Sequence, residues 1–208
     1  IFNGEFVSSK SLPYTYLPVW IFISTPTITL LLFLTGYILY AKTFFLRLIE
    51  IDKNKNNSLW VNDFEKKDFL IFLNLTIILI YLILFGAVLY NGWRQVYFIN
   101  VFLIYFTSYG IFSLVKFKLF KKIKRWFFFL IGFLLVMIFY EIIKIHPYQS
   151  LYFNNTLHKD IQNKFEIDYW GLSGKRFIEE IKNLDDKKKL NIGVASWVPL
   201  ERSLALFD

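Results

Sequence analysis

The chain of 208 residues contains no cysteine and only two histidines. The absence of cysteine excludes disulfide bonds and thiolate metal sites. His146 and His158 do not have the spacing of a paired-histidine motif, so we expect no structural metal, and the sequence identifies no cofactor. A glycine-rich phosphate loop and a nucleophile elbow are also missing, which removes two common signatures of nucleotide-binding proteins and hydrolases.

Charge is scarce along four long stretches of the chain. Hydrophobic residues make up 56% of the sequence, against about 45–50% in a typical soluble domain, and they occur in blocks rather than at amphipathic spacing. A bilayer crossing takes about 20 apolar residues. The segments that meet this length are approximately Leu17–Tyr40, Phe69–Tyr90, Val96–Val115 and Trp126–Ile145. We therefore predict a mainly α, polytopic membrane protein.

The surplus of positive charge predicts an orientation. The 24 basic residues outnumber the 16 acidic ones, and many of them lie in the two connections 41–68 and 116–125. The positive-inside rule places both connections in the cytoplasm. The turn Asn91–Gln95 and the tail after Ile145 then lie on the periplasmic side of an inner (plasma) membrane. This topology accounts for the net charge of +8 without a nucleic-acid partner.

Residues 146–208 form a tail with nine basic and nine acidic side chains. Ser173 can cap a helix over Gly174–Leu184, and alternating apolar residues from Leu190 to Val194 are typical of a strand. We predict a membrane domain, 1–145, followed by the start of a small α/β extracytoplasmic domain, 146–208. Because the chain begins without methionine and stops just after the predicted strand, we expect a fragment that is truncated at both ends.

The turn between the second and third predicted spans contains the first candidate binding residue. The guanidinium of Arg94 can hold a phosphate through two hydrogen bonds and is always charged. Its neighbours Asn91, Trp93 and Tyr97 could contact the same ligand. Snorkelling of Arg94 and interfacial anchoring of the aromatic rings are the simpler explanations from spacing alone.

Aromatic rings and polar side chains are also concentrated in the tail. Sugars are held by hydrogen bonds to hydroxyls together with stacking on aromatic faces, which this mixture could provide. A packed lid, in which the rings are buried and Asp168 accepts backbone hydrogen bonds, is the simpler alternative. The candidate residues are His146, Tyr148, Tyr152, Asn154, Asp168, Tyr169 and Trp170.

Four short motifs, in order, resemble those of one family. They read LPYTYLPVW followed by STP (12–26), NGWRQVYF (91–98), HPY with YFN (146–154) and DYWG (168–171). The set is similar to that of bacterial glycosyltransferase family 39, the dolichyl-phosphate-mannose–protein mannosyltransferase-like enzymes of the GT-C superfamily. The sequence departs from the pattern at Asn91, where the family has aspartate, and at Gln95, where histidine is common.

The resemblance implies an inverting membrane enzyme that moves a sugar from a polyprenyl-phosphate donor to a protein, glycan or lipid acceptor at the periplasmic face. Arg94 would contact the donor phosphate, and the tail candidates would form the wall of the site. The resemblance places the general base in a segment upstream of Ile1, so no catalytic residue is assigned within the chain.

Two other classes of function are open. The chain could be a non-enzymatic membrane scaffold or transport component whose outer domain binds a glycan or a partner. The centres of the predicted spans are nearly free of charge, which counts against a transporter because transporters place polar, broken helices at mid-membrane. The outer cluster could also bind a glycan without turning it over.

Overall fold

The computed structural model describes residues 1–54, 60, 62–117, 122–149, 152–154, 161–168, 171–184 and 193. Over these residues the secondary structure is mainly helical, as predicted. The helices are α1 (Tyr16–Ser24), α2 (Thr27–Asn54), α3 (Asp63–Leu84), α4 (Ile99–Lys116), α5 (Lys124–Lys144), α6 (Ile161–Lys164) and α7 (Ser173–Leu184). A 3-10 turn, Arg94–Val96, precedes α4.

Four of the helices are long and apolar enough to cross a membrane. The segments that qualify are Thr27–Ile49, Asp63–Leu84, Ile99–Lys116 and Lys124–Lys144. The prediction of a polytopic membrane protein with four spans is therefore confirmed at the level of helix number, length and composition.

The first span begins later than predicted, because the stretch Leu17–Tyr40 is not one helix. Helix α1 ends at Ser24, and Thr25 is extended, with φ −102° and ψ 136°. The reason is Pro26, whose ring disfavours helical geometry at the residue before it. Thr25 still donates its N–H to the carbonyl of Ile21, and α2 starts directly after the proline.

The predicted loop 41–68 is also largely helical. Helix α2 continues to Asn54, and α3 already begins at Asp63. The side chain of Asn62 accepts a hydrogen bond from the N–H of Glu65 at 2.9 Å, which caps the first turn of α3. Acidic residues there also match the positive end of the helix dipole. Hydropathy predicts the second span at Phe69–Tyr90, which is too far along the chain. The reason is that the first turn of α3 is polar, so hydropathy assigns it to the loop.

The predicted α/β character of the tail is not supported. Helix α7 matches the predicted helix, but the predicted strand from Leu190 to Val194 lies outside the described residues apart from Gly193. Among the residues that are described there is no strand, and β pairing is limited to isolated bridges from Phe2 to Glu5 and to Phe165.

The core of the bundle is the close crossing of α2 and α4. A Cβ atom added at Gly36 would lie 1.9 Å from the carbonyl oxygen of Phe106, and one added at Gly110 would lie 2.3 Å from that of Leu32. Small residues at such positions let two membrane helices approach closely. Across the same interface, the hydroxyl of Thr107 donates to the carbonyl of Thr29 at 3.2 Å.

Helix α3 packs beside this pair, whereas α5 stands apart. Leu75 of α3 is completely buried, and the hydroxyls of Tyr37 and Thr76 are 2.8 Å apart, joining α2 to α3. At the far end, Arg47 and Glu65 form an ion pair at 2.6 Å. On α5, which is described along its whole length, Ile131 is the single buried residue. The apolar surface of α5 is therefore exposed rather than packed against the other helices.

Replacement of Gly36 by alanine should weaken the α2–α4 crossing. We expect the free energy of unfolding to fall by about 1–3 kcal/mol, because the new methyl group would overlap the backbone of α4. The measurement is thermal unfolding in detergent, followed by helical circular dichroism. The control is Gly132→Ala on α5, where an added Cβ meets nothing within 4 Å. Equal stability of the two variants would contradict this account of the crossing.

Candidate functional site

Segments that are distant in sequence meet around one cavity of about 460 Å³. It lies at the end of the bundle where α2 and α4 begin and α5 ends. Its walls come from the α1–α2 break, the turn 91–97, the start of α4, the end of α5 and the tail. The lining residues are Trp20, Ser24, Thr25, Pro26, Asn91, Gly92, Trp93, Arg94, Tyr97, Asn100, Ile142, Gln149, Tyr152, Phe153, Glu166, Ile167 and Asp168.

Two consecutive left-handed residues shape the turn that carries Arg94. Asn91 has φ +54° and Gly92 has φ +69°. Asparagine tolerates this region better than most residues, and glycine enters it without steric cost. A side chain at position 92 would also press on the indole of Trp20, with a Cβ only 3.3 Å from the ring. The Asn-Gly pair therefore sets the path of the turn and lets it approach the Trp20 ring of α1 closely.

Trp93 attaches the turn to α1 through a short chain of hydrogen bonds. Its ring is 7% exposed, and its indole N–H donates to the hydroxyl of Ser24 at 2.8 Å. Ser24 in turn donates to the carbonyl of Trp20 at 2.6 Å. Trp93 lines the cavity, but its indole N–H is engaged in the hydrogen bond to Ser24.

Arg94 is the one cationic residue in the described lining of the cavity. Its side chain is exposed, and its guanidinium carbon lies 5.6 Å from the centre of the Tyr90 ring. This distance is within the range of a cation–π interaction. Tyr97 stacks at a tilt on Trp93, with ring centroids 5.2 Å apart, and accepts a hydrogen bond from Asn100 at 3.3 Å. The turn thus presents a positive charge beside a phenol and an amide.

The carboxylate of Asp168 is engaged at the start of α7. One oxygen accepts the N–H of Leu172 at 2.8 Å. The other accepts both the N–H of Ser173, at 2.8 Å, and its hydroxyl. Asp168 therefore satisfies donors at the beginning of α7, a role that the sequence predicted for Ser173. This matches the alternative in which Asp168 accepts backbone hydrogen bonds.

Asn154 joins the tail to α1 rather than facing a ligand. It is 2% exposed, and its side-chain amide donates to the carbonyls of Phe22 and Thr25, the latter at 2.8 Å. Its backbone N–H donates to the carbonyl of Ile23 at 2.8 Å. These are carbonyls that the end of a helix leaves without intrahelical partners. Asn154 thereby holds the neighbouring Phe153 against the cavity.

Tyr152 contributes a phenol to the cavity wall. Burial raises its pKa above the ordinary value, and the negative charge of Glu141 raises it further. The ordinary pKa of tyrosine is already about 10. The hydroxyl of Tyr152 is consequently neutral at physiological pH and able to donate a hydrogen bond.

The structure brings together part of the predicted site. Six of the predicted residues line the cavity: Asn91, Trp93, Arg94, Tyr97, Tyr152 and Asp168. Outside the lining, His146 is exposed, and its Nδ1 pairs with the side chain of Gln149 at 2.6 Å. The half-buried Tyr148 lies nearby, after a cis peptide bond between His146 and Pro147. Tyr169 and Trp170 are outside the described residues.

Sequence reasoning missed the contribution of the α1–α2 break to the cavity. Pro26 lies inside the first predicted span, near its start, and a proline inside an apolar run is itself a sign of a broken helix. Asn100 lies inside the third predicted span, and its side-chain amide donates to the hydroxyl of Tyr97 in the cavity wall. Glu166 gave no sign in the sequence, because the chain segment that positions it is far from α1.

No metal site is evident in the part of the chain that the structure describes. Groups of three or more histidine, cysteine, aspartate or glutamate residues close enough to share an ion are not found there. The expectation that the chain has no structural metal stays a prediction.

The fold and the cavity define the class: a helical protein with four helices able to cross a membrane and a polar, aromatic cavity at one end of them. Comparison of the chain with protein-family models, curated proteins and solved structures gave no significant match. The resemblance to glycosyltransferase family 39 therefore rests on the four sequence motifs alone.

Substitution of Asn154 by alanine should loosen the tail from α1. The amide group satisfies buried carbonyls, and we expect its loss to lower the free energy of unfolding by about 1–3 kcal/mol. The measurement is thermal unfolding in detergent, with Asn163→Ala, an exposed tail position, as the matched control. A variant as stable as the wild type that has lost only ligand binding would show that Asn154 is a ligand contact instead.

The phenol of Tyr152 should remain protonated above pH 10. The folded state favours the neutral form, so the stability linked to it is complete below pH about 10 and falls as the pH rises through the raised pKa. A 295-nm absorbance titration, taken as the difference between wild type and Tyr152→Phe, measures the midpoint. Glu141→Gln should lower that midpoint partway, since burial is the larger cause. An ordinary midpoint in the wild type would contradict the assignment.

Proposed function

We propose that the chain is part of a membrane glycosyltransferase that moves a sugar from a polyprenyl-phosphate donor to an acceptor at the periplasmic face of the inner membrane. The observation that carries the proposal is one cavity whose lining includes residues from all four resembling motifs, Arg94 among them. The motif HPY with YFN contributes Tyr152 and Phe153, and the motif DYWG contributes Asp168. Residues that are far apart in sequence and close in space are what a shared ligand would require.

The position of Arg94 suits the phosphate of a membrane-bound donor. It lies in the short turn directly before α4 begins at Ile99, which is the level where a span passes into the headgroup region. A guanidinium there could bind the phosphate before transfer and stabilise the charge that develops on it when the sugar departs. Contact with the ring of Tyr90 limits the directions in which the side chain can swing.

The rest of the wall has groups that suit a sugar. Tyr97 and Phe153 offer ring faces, and Asn100, Gln149 and the neutral phenol of Tyr152 offer hydrogen bonds to hydroxyls. A volume of about 460 Å³ falls in the range of about 300–1,000 Å³ that small-molecule sites occupy. Asp168 is less suited to catalysis, since both of its oxygens already accept hydrogen bonds from the start of α7.

One observation favours a second function, a scaffold or transport component whose outer part binds a glycan without turnover. The polar atoms of Trp93, Asn154 and Asp168 are engaged within the protein, as in a packed wall. Under this hypothesis the cavity would bind sugar, but Arg94 would not affect any transfer reaction.

The test compares Arg94→Ala, Arg94→Lys and wild type in transfer from radiolabelled polyprenyl-phosphate sugar. We expect kcat/KM to fall by about 10²–10³ in Arg94→Ala, the usual loss when one group that stabilises developing charge is removed. Arg94→Lys should retain part of the wild-type kcat/KM, because lysine keeps the positive charge but lacks the planar pair of donors.

Arg176→Ala is the matched control, since Arg176 is exposed on α7 and pairs with Glu180 at 3.0 Å. It should leave transfer unchanged. Full activity of Arg94→Ala would remove Arg94 from the site. Glycan binding by the wild-type protein without any carrier-dependent transfer would support the second function and reject the first.

A further inference from the structure

A second hollow lies at the opposite end of the bundle, where α5 begins. It has a volume of about 660 Å³ and is lined by Lys122, Lys124, Arg125, Trp126 and Phe128. Three of these residues are cations, two are aromatic, and none is acidic. Such a lining is complementary in charge to an anion and in polarity to the boundary between water and lipid.

We propose that this hollow binds the headgroup of an anionic membrane phospholipid. The proposal is independent of the transferase function, because the hollow and the Arg94 cavity are at opposite ends of the helices and share no residue. Its ligand class follows from three features: the arrangement of the cations, the exposure of the rings and the surface of the adjoining helix.

The cations occur in a lining whose described residues include no acidic side chain. Lys124 and Arg125 begin α5, and its first turn contains no acidic residue. Positive side chains at this end add to the positive end of the helix dipole, which is unfavourable without an external anion. Helix α3 is the contrasting case, because it begins with Asp63 and Glu65. A phosphate in the hollow would offset the charge of the side chains and of the helix end together.

The aromatic rings are exposed at the same level as the cations. Trp126 is 72% exposed and meets Phe129 edge-on, with centroids 6.2 Å apart. The ammonium of Lys124 lies 5.9 Å from the centre of the Phe128 ring. Tryptophan at the end of an apolar helix typically lies among lipid headgroups. The hollow therefore opens at the depth where a phospholipid carries its phosphate.

The surface of α5 distinguishes a lipid from other anions. Ile131 is the single buried residue of this helix, and Phe129, Phe133 and Val136 are exposed along it. A phospholipid whose headgroup occupied the hollow could lay its acyl chains on this surface. A nucleic acid or a soluble phosphate would use the cations alone and leave the adjoining apolar face without a role.

The test is native mass spectrometry of the purified full chain in detergent, with added phosphatidylglycerol or with phosphatidylcholine of the same acyl chains. We expect tighter binding of phosphatidylglycerol. The triple variant K122Q/K124Q/R125Q should weaken it by about tenfold or more, because each basic residue near an anionic lipid surface contributes about a factor of five. The single variant K124Q provides the same test with a smaller effect should the triple variant fail to fold.

The control triple is K42Q/K66Q/K67Q, which removes the same charge from positions on α2 and α3 outside the hollow. It should change phosphatidylglycerol binding by about twofold or less, less than the effect of one basic residue near the lipid. Equal weakening by both triples would show general surface charge and overturn the site, as would equal binding of the two lipids. Displacement of bound lipid by inorganic phosphate at equal concentration would identify a free-anion site and reject the phospholipid.

Discussion

The close approach of α2 and α4 at Gly36 and Gly110 is the constraint on which the cavity depends. Backbone atoms of one helix occupy the space that a side chain would need on the other, so the two helices have one way to cross. The α1–α2 break runs directly into α2, and the Arg94 turn runs directly into α4. The crossing therefore fixes the distance between these two walls of the cavity. A shift of either helix would move Arg94 relative to Thr25 and Pro26.

Helix ends account for the remaining walls. The break at Pro26 leaves carbonyls of α1 without partners in the helix, and Asn154 supplies donors to them. The start of α7 leaves N–H groups without partners, and Asp168 accepts them. Asn154 and Asp168, two of the polar residues predicted as ligand contacts, thus satisfy backbone groups at helix ends. The cavity is therefore bordered both by residues that satisfy helix ends and by side chains that are available to a ligand.

Apolar segment length predicted the number of spans because a membrane helix must be almost entirely apolar over its crossing. It did not predict where the helices begin, since the Asn62 cap makes a polar turn helical and Pro26 ends a helix inside an apolar run. The turn around Arg94, which residue types alone indicated, lies in the lining of the cavity. The role of Asn154 could not be assigned, because burial and acceptor geometry depend on α1, which is more than a hundred residues earlier. The position of Glu166 in the cavity could not be predicted either, because its segment is held to Ile1 and Gly4, far away in sequence, by backbone hydrogen bonds.

The two ends of the bundle have different electrostatic character, and this decides what each can select. At the cavity end, Arg94 shares the lining with Glu166 and Asp168, so an anion there meets repulsion as well as attraction. Under the proposed function, a sugar phosphate would offset this repulsion through hydrogen bonds between its hydroxyls and the amide groups of the lining, which a simple phosphate lacks. At the start of α5 the lining contains cations and rings but no carboxylate, so the proposed lipid site would select for negative charge, with little discrimination among anionic headgroups. Under the two proposals, specificity at the cavity end comes from the mixture of charges, and affinity at the start of α5 comes from charge of one sign next to an apolar helix.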